Sequence, residues 1–209
     1  MINRIQWLGH STFRIQGPPL IYIDPWRVPR GACPADVILV SSDRYDHCSP
    51  ADVSKLLGSN TQVVANAAAA KLLGGEGCVQ VLRPWQSVNI GRARITAIPA
   101  RAPNANPYLP DSEGAGFLVS LDYYDIYYAG DTGVIPDMAR LRPDIAILPL
   151  GGDSAMSVNA AVEAVNILRP RWVIPGHCSG EGSSYLDMRA FQQAVGSRAE
   201  VMFLNRVHG

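Results

Sequence analysis

Three of the four histidines in the chain stand just past a short apolar run. His10 follows Trp7-Leu8-Gly9. His47 closes the stretch SSDRYDH behind Val37-Ile38-Leu39-Val40, and His177 follows Val173-Ile174-Pro175-Gly176. Two aspartates are placed the same way, Asp24 after Tyr22-Ile23 and Asp131 after Tyr127-Tyr128-Ala129-Gly130. Imidazole nitrogens and carboxylate oxygens are donors for zinc, manganese and iron, and they also carry protons in hydrolysis. In α/β proteins such groups gather where strands end on one edge of a sheet. Spacing alone leaves a second reading open, in which these residues only cap and close turns.

The elements that must position them can be read from the pattern. Strands are expected at 4–8, 12–15 and 20–23, with Gly17-Pro18-Pro19 punctuating the last two. The wholly apolar run 37–40 suits a strand buried on both faces. Ser49, Pro50 and Asp52 form a capping signature for a helix that Gly58 would end. A strand at 62–65 and an Ala-rich helix at 66–73 follow, then strands near 78–82, 86–90 and 92–98. Residues 101–115 form a Pro/Asn/Gly-rich loop of the length that usually has a function, and Tyr45, Pro107 and Tyr108 are candidates for a pocket entrance. Further strands are expected at 117–121, 126–129, 145–148, 172–174 and 200–204. Helices are expected at 157–168, on apolar spacing, and at 187–195. Strands first, then βα alternation, predict a layered α/β domain with two sheets over 1–209.

Composition narrows the function classes. Of the 209 residues, 47% are hydrophobic and 17% charged, which is a globular profile. Eighteen basic residues balance eighteen acidic ones, so nothing advertises nucleic acid or an anionic membrane. No apolar stretch reaches the length of a membrane span. MINRIQWLGHS lacks a signal-peptide core, and Cys33, Cys48, Cys78 and Cys178 follow no CxxC spacing. A reduced, cytoplasmic chain is the expectation, as a monomer or a homo-oligomer.

Five segments in order then carry a resemblance: Trp7-Leu8-Gly9-His10-Ser11, Ile23-Asp24-Pro25, Tyr45-Asp46-His47, Ala129-Gly130-Asp131-Thr132 and Ile174-Pro175-Gly176-His177. The chain resembles the metallo-β-lactamase superfamily over nearly its whole length. It is most similar to the small stand-alone metal-dependent hydrolases, which include proteins like ascorbate-phosphate lactonases. Leu148-Pro149-Leu150-Gly151-Gly152 and Arg169-Pro170 match that branch too. The resemblance implies a four-layer αββα sandwich with a two-metal site on one edge.

The site departs from that pattern. The family motif is His-x-His-x-Asp-His, and here Ser42 and Arg44 stand where its first two histidines would be. A third histidine, expected near Arg101 or Ala102, is also missing. The resemblance assigns those three to one metal, which should therefore be lost. It assigns Asp46, His47, Asp131 and His177 to the other, and all four are present. One divalent ion (zinc, manganese or iron) is the expected cofactor, with a metal-free site as the alternative. A displaced register would instead turn Asp43 inward.

Arg44 is always charged and cannot ligate a metal. It is expected to replace the lost cation, pairing with Asp46 or Asp131 or holding a substrate anion, unless it faces solvent. The candidate catalytic residues are thus Asp46, Arg44 and His10; the last is alternatively a structural histidine. Asp24 either orients a ligand histidine or caps the Asp-Pro turn. Cys48 and Cys178 adjoin ligand positions as extra ligands, a redox pair or small buried residues. These residues suit a single-metal hydrolase of a small anionic ester, lactone or phosphoester. The alternative is a degenerate relative that binds a small molecule or partner without turnover.

Overall fold

The computed structural model describes residues 1–74, 79–103, 114–151, 155–177 and 183–207. Two sheets face each other. The first has the order β1-β2-β3-β4-β5-β6, built from Ile5–Gly9, Thr12–Ile15, Ile21–Ile23, Val37–Val40, Gln62–Ala65 and Val79–Val81. The second has the order β13-β12-β11-β10-β9-β8-β7. In chain order from β7 its strands are Ser87–Ile90, Ala93–Ala100, Gly114–Leu121, Tyr124–Tyr128, Ile145–Pro149, Trp172–Gly176 and Glu200–Val201.

Strand alternation sorts the apolar side chains into three cores. Val37 and Leu39 of β4 join Phe13, Phe117 and Ile147 between the sheets. Ile38 and Val40 point the other way, onto Val53 and Leu56 of α1 (Pro50–Leu56) and Ala69 of α2 (Ala67–Leu72). On the far side, Tyr127, Ala146 and Val173 meet α3 (Val158–Leu168) and α4 (Ser183–Val195) through Ala161, Val165 and Phe191. A strand with both faces covered must be apolar throughout, and every residue of β4 and β11 is buried. Three cores separate four layers, so the architecture is the expected αββα sandwich.

Several boundaries shift by a residue or two and the last helix starts at Ser183 rather than at 187; three further details differ from the sequence expectations. The Asp52 backbone amide donates to Ser49 Oγ as a cap should, but its carboxylate is engaged chiefly elsewhere. It accepts from the amides of Arg27 (2.9 Å) and Val28 (3.1 Å) and from Lys55 Nζ (2.7 Å), tying the crossover after β3 to α1. The last strand is Glu200–Val201 rather than 200–204, because the chain then leaves β12 for the first sheet, where Val207 N donates to Trp7 O. The long loop is shorter than expected, since β8 runs to Ala100 and β9 starts at Gly114. Residues 104–113, with Pro107 and Tyr108, lie outside the described residues, as do Cys78, Gly152 and Cys178.

Candidate metal centre

The ends of β1, β3, β4, β10 and β12 meet on one edge of the sandwich, and each delivers one or two side chains. His10 comes just after β1, Asp24 after β3, Asp46 and His47 from the turn after β4, Asp131 after β10 and His177 after β12. His10, Asp24 and His177 hold positive φ values of 51°, 45° and 63°. Such conformations persist in non-glycine residues only where the surroundings over-determine them.

Four of these residues offer donor atoms that all lie within 4.8 Å of one another: His10, Asp46, His47 and His177. Asp131 stands against the same group, with Oδ2 3.3 Å from His47 Nε2 and Oδ1 3.6 Å from His177 Nε2. His10 Nε2 is 2.9 Å from Asp46 Oδ2. Asp46 Oδ1, both Asp131 carboxylate oxygens and His177 Nε2 are buried atoms that make no hydrogen bond of good geometry. Arg44 stands beside Asp46 Oδ1 and Asp131 Oδ2, but Asp131 Oδ1 and His177 Nε2 have no hydrogen bond, and buried polar atoms are nearly always satisfied, so these converging imidazole and carboxylate groups fit a cation. Three of the four residues expected to hold the metal share this cluster with His10, while the fourth, Asp131, adjoins it through His47 and His177 without lying within 4.8 Å of all its donors.

Arg44 reaches over both carboxylates. Its Nη1 is 3.0 Å from Asp131 Oδ2 and its Nε is 3.4 Å from Asp46 Oδ1. Its side chain is 41% exposed, so the guanidinium stands at the mouth of the site rather than in its floor. Ser42 is buried and its Oγ accepts from the Arg44 amide at 3.4 Å. Asp43 is exposed, which removes the displaced-register alternative. The position of the missing third histidine adjoins the Asp131 turn, because Arg101 N donates to Thr132 Oγ1 at 3.0 Å.

Behind the donors lies a hydrogen-bonded layer. Asp24 Oδ2 is 2.7 Å from His47 Nδ1, which leaves His47 Nε2 facing the other donors. Asp24 also accepts from Ser41 N (2.7 Å), Ser41 Oγ and Tyr128 OH (2.6 Å). Asp24 therefore orients His47 and is more than a turn cap. Ser41 and Tyr128 did not figure among the sequence candidates. The available signal was alternation: Tyr128, at the end of β10, points between the sheets while Tyr127 points away.

The charges bias the protons. Burial works against the Asp46 carboxylate, but His10, His47 and Arg44 hold it well below the ordinary range. Asp131 is lowered against its burial by His47, His177 and Arg44. Burial would lower His47, yet Asp24 and Asp131 on either side push it up to about 10. His177 is lowered, chiefly by burial. Cys48 is buried and its thiol is pushed up to about 11 by burial, Asp24 and Asp43, so it is an unreactive packing residue. Tyr45 is 75% exposed and meets Trp26 edge-on at 6.3 Å beside His10, at the rim of the site.

Known proteins share this framework. The family model for the β-lactamase superfamily domain matches residues 4–177. A UPF0173 metal-dependent hydrolase of Pyrococcus abyssi is 31% identical over 218 residues, covering 96% of each chain. A UPF0173 metal-dependent hydrolase of Thermococcus onnurineus is 29% identical, again over 96% of each chain. A solved structure from Parabacteroides distasonis superposes with a TM-score of 0.82 at 27% identity, over 96% of this chain and 93% of that one. Igni18, a metallo hydrolase of Ignicoccus hospitalis, gives 0.80 at 22% identity over 98% and 95%, a likeness of fold.

Proposed function

The chain belongs to the β-lactamase superfamily, and on that premise we propose that it is a metal-dependent hydrolase of a small anionic ester, lactone or phosphoester, working with one divalent ion. The observation that carries this reading is the convergence of imidazole and carboxylate donors on His10, Asp46, His47 and His177, with Asp131 beside His47 and His177 and with Asp131 Oδ1 and His177 Nε2 buried without a hydrogen bond. Asp46, His47, Asp131 and His177 would hold the ion, whether zinc, manganese or iron. When bound, such an ion acidifies water near neutral pH and polarises a scissile carbonyl or phosphoryl group.

The protein's own groups do the rest. Asp24 holds His47 with Nε2 towards the donors. Arg44 presents a permanent cation at the mouth, where it can draw in a substrate anion and steady negative charge on the attacked group. In the family resemblance that region belongs to the second metal. Tyr45 and Trp26 form one rim of the entrance.

A second reading has a specific observation in its favour. Arg44 already pairs with Asp46 and Asp131, as it would in a metal-free, salt-bridged site that binds an anion without turnover. Elemental mass spectrometry separates the two, on untagged protein purified without chelator, beside Asp131→Ala. About one metal per chain, lost in the variant, is the expected result, followed by turnover in a screen of esters, lactones and phosphoesters. No metal after incubation with zinc, manganese or iron would leave the anion-binding reading.

A further inference from the structure

His10 is absent from the family's ligand pattern, yet it stands inside the donor cluster rather than beside it. We propose that His10 is itself a ligand of the ion, a third imidazole added to Asp46, His47, Asp131 and His177. This inference rests on the metal-bound reading above.

Spacing is the first argument. Two donors bound to one ion at about 2.1 Å stand ~3.0 Å apart at a right angle and ~3.4 Å apart in a tetrahedron. His10 Nε2 to Asp46 Oδ2 is 2.9 Å, His47 Nε2 to Asp131 Oδ2 is 3.3 Å, and His177 Nε2 to Asp131 Oδ1 is 3.6 Å. The His10 contact falls in the same range as the others, and its ring nitrogen is within 4.8 Å of the donors of Asp46, His47 and His177.

Fixation is the second. The His10 ring packs against His177 at 4.3 Å and Trp26 at 5.2 Å, and Trp7 Nε1 donates to its carbonyl at 2.8 Å. Its backbone is left-handed, like that of His177. The carboxylate it meets, on Asp46, is itself buried. Ser42 and Arg44 have removed imidazoles from this edge, and His10 returns one from a different strand.

With Asp131 closing onto the ion, five protein donors would exceed the four of a tetrahedral zinc site and leave one place of an octahedron for water. The ion class that fits is six-coordinate manganese or iron.

The test uses the full-length chain loaded with copper(II) as a probe ion. Pulsed electron paramagnetic resonance counts coordinated imidazoles through their remote ring nitrogens. Three are expected in the wild type, two in His10→Asn, and three in Asp131→Asn, with copper affinity of His10→Asn falling at least about tenfold. Asn accepts a left-handed backbone, which protects folding in that variant. Two imidazoles in the wild type, or an unchanged count in a folded His10→Asn, would overturn the inference while leaving the metal reading intact. A wild type that takes up no copper, manganese, iron or zinc would overturn both.

Discussion

Asp24 Oδ2 lies 2.7 Å from His47 Nδ1, and neither side chain has any exposed surface. Such a carboxylate fixes which nitrogen carries the proton and raises the basicity of the other. Asp24→Asn keeps the shape but removes the charge. Metal affinity, measured by competition with a chelator, is expected to fall about 10- to 100-fold. Unchanged affinity would reduce Asp24 to a fold-stabilising residue.

Arg44 sets two demands against each other. Its contacts with Asp46 and Asp131 would compete with an ion, while a guanidinium at the mouth would serve a substrate anion. Arg44→Met is expected to bind metal at least as tightly as the wild type. Binding of inorganic phosphate, followed by calorimetry, should weaken about tenfold or more, since a charge-assisted hydrogen bond contributes ~1.5–3 kcal/mol. Phosphate binding that does not change would place the guanidinium in solvent only.

Asp52 predicts a pH dependence outside the donor cluster. Burial raises its carboxyl, but Lys55, Ser49 and the Arg27 amide outweigh this and lower it. A group lowered on folding stabilises fully above its unfolded value, ~3.9, and loses that contribution as pH falls through the folded value. Asp52→Ala leaves the Arg27 and Val28 amides unpaired and should cost ~1–3 kcal/mol at pH 7. Urea unfolding at stepped pH should show this gap between wild type and variant shrinking below about pH 4. A gap that widens towards acid would contradict the assignment.

Gly130 turns the chain from β10 into Asp131 at φ +67°, and a Cβ there would sit 2.8 Å from the Ala115 carbonyl oxygen. Gly130→Ala should therefore lose more than the ~1–2 kcal/mol of a left-handed backbone alone, and should weaken metal binding by moving Asp131. Gly91→Ala is the control: its φ is +56° and its Cβ would meet nothing within 4 Å. Equal losses in thermal unfolding for the two variants would show that the close approach is relieved at no cost.

Strands and helices were legible because their signals are local. Val37–Val40 announced a doubly covered strand, and Ser49-Pro50 announced a helix start, within one residue of what forms. That Asp46, His47, Asp131 and His177 would come close together was legible through the resemblance, since each sits in a short motif. Asp24 and Asp52 were only half legible. What each carboxylate accepts from is fixed by side chains or amides 17 to 104 residues away for Asp24 and up to 25 for Asp52. No window along the chain contains those partners. His10 was legible as a polar neighbour of the pocket, but its distance to Asp46 depends on how β1 and β4 are spaced in the sheet.

The left-handed backbone at His10, Asp24 and His177 bears on how this sequence can drift. Of the twenty residue types, glycine, asparagine, aspartate and histidine enter that conformation most readily. Most single replacements at these positions meet a conformational penalty before any change in ligation is felt. Two of the four tolerated types are good metal donors, so neutral exchange among them tends to preserve a cation pocket. Positions 42 and 44 have negative φ and lie under no such filter. Those are two of the places where the resemblance has this chain depart from the His-x-His-x-Asp-His motif.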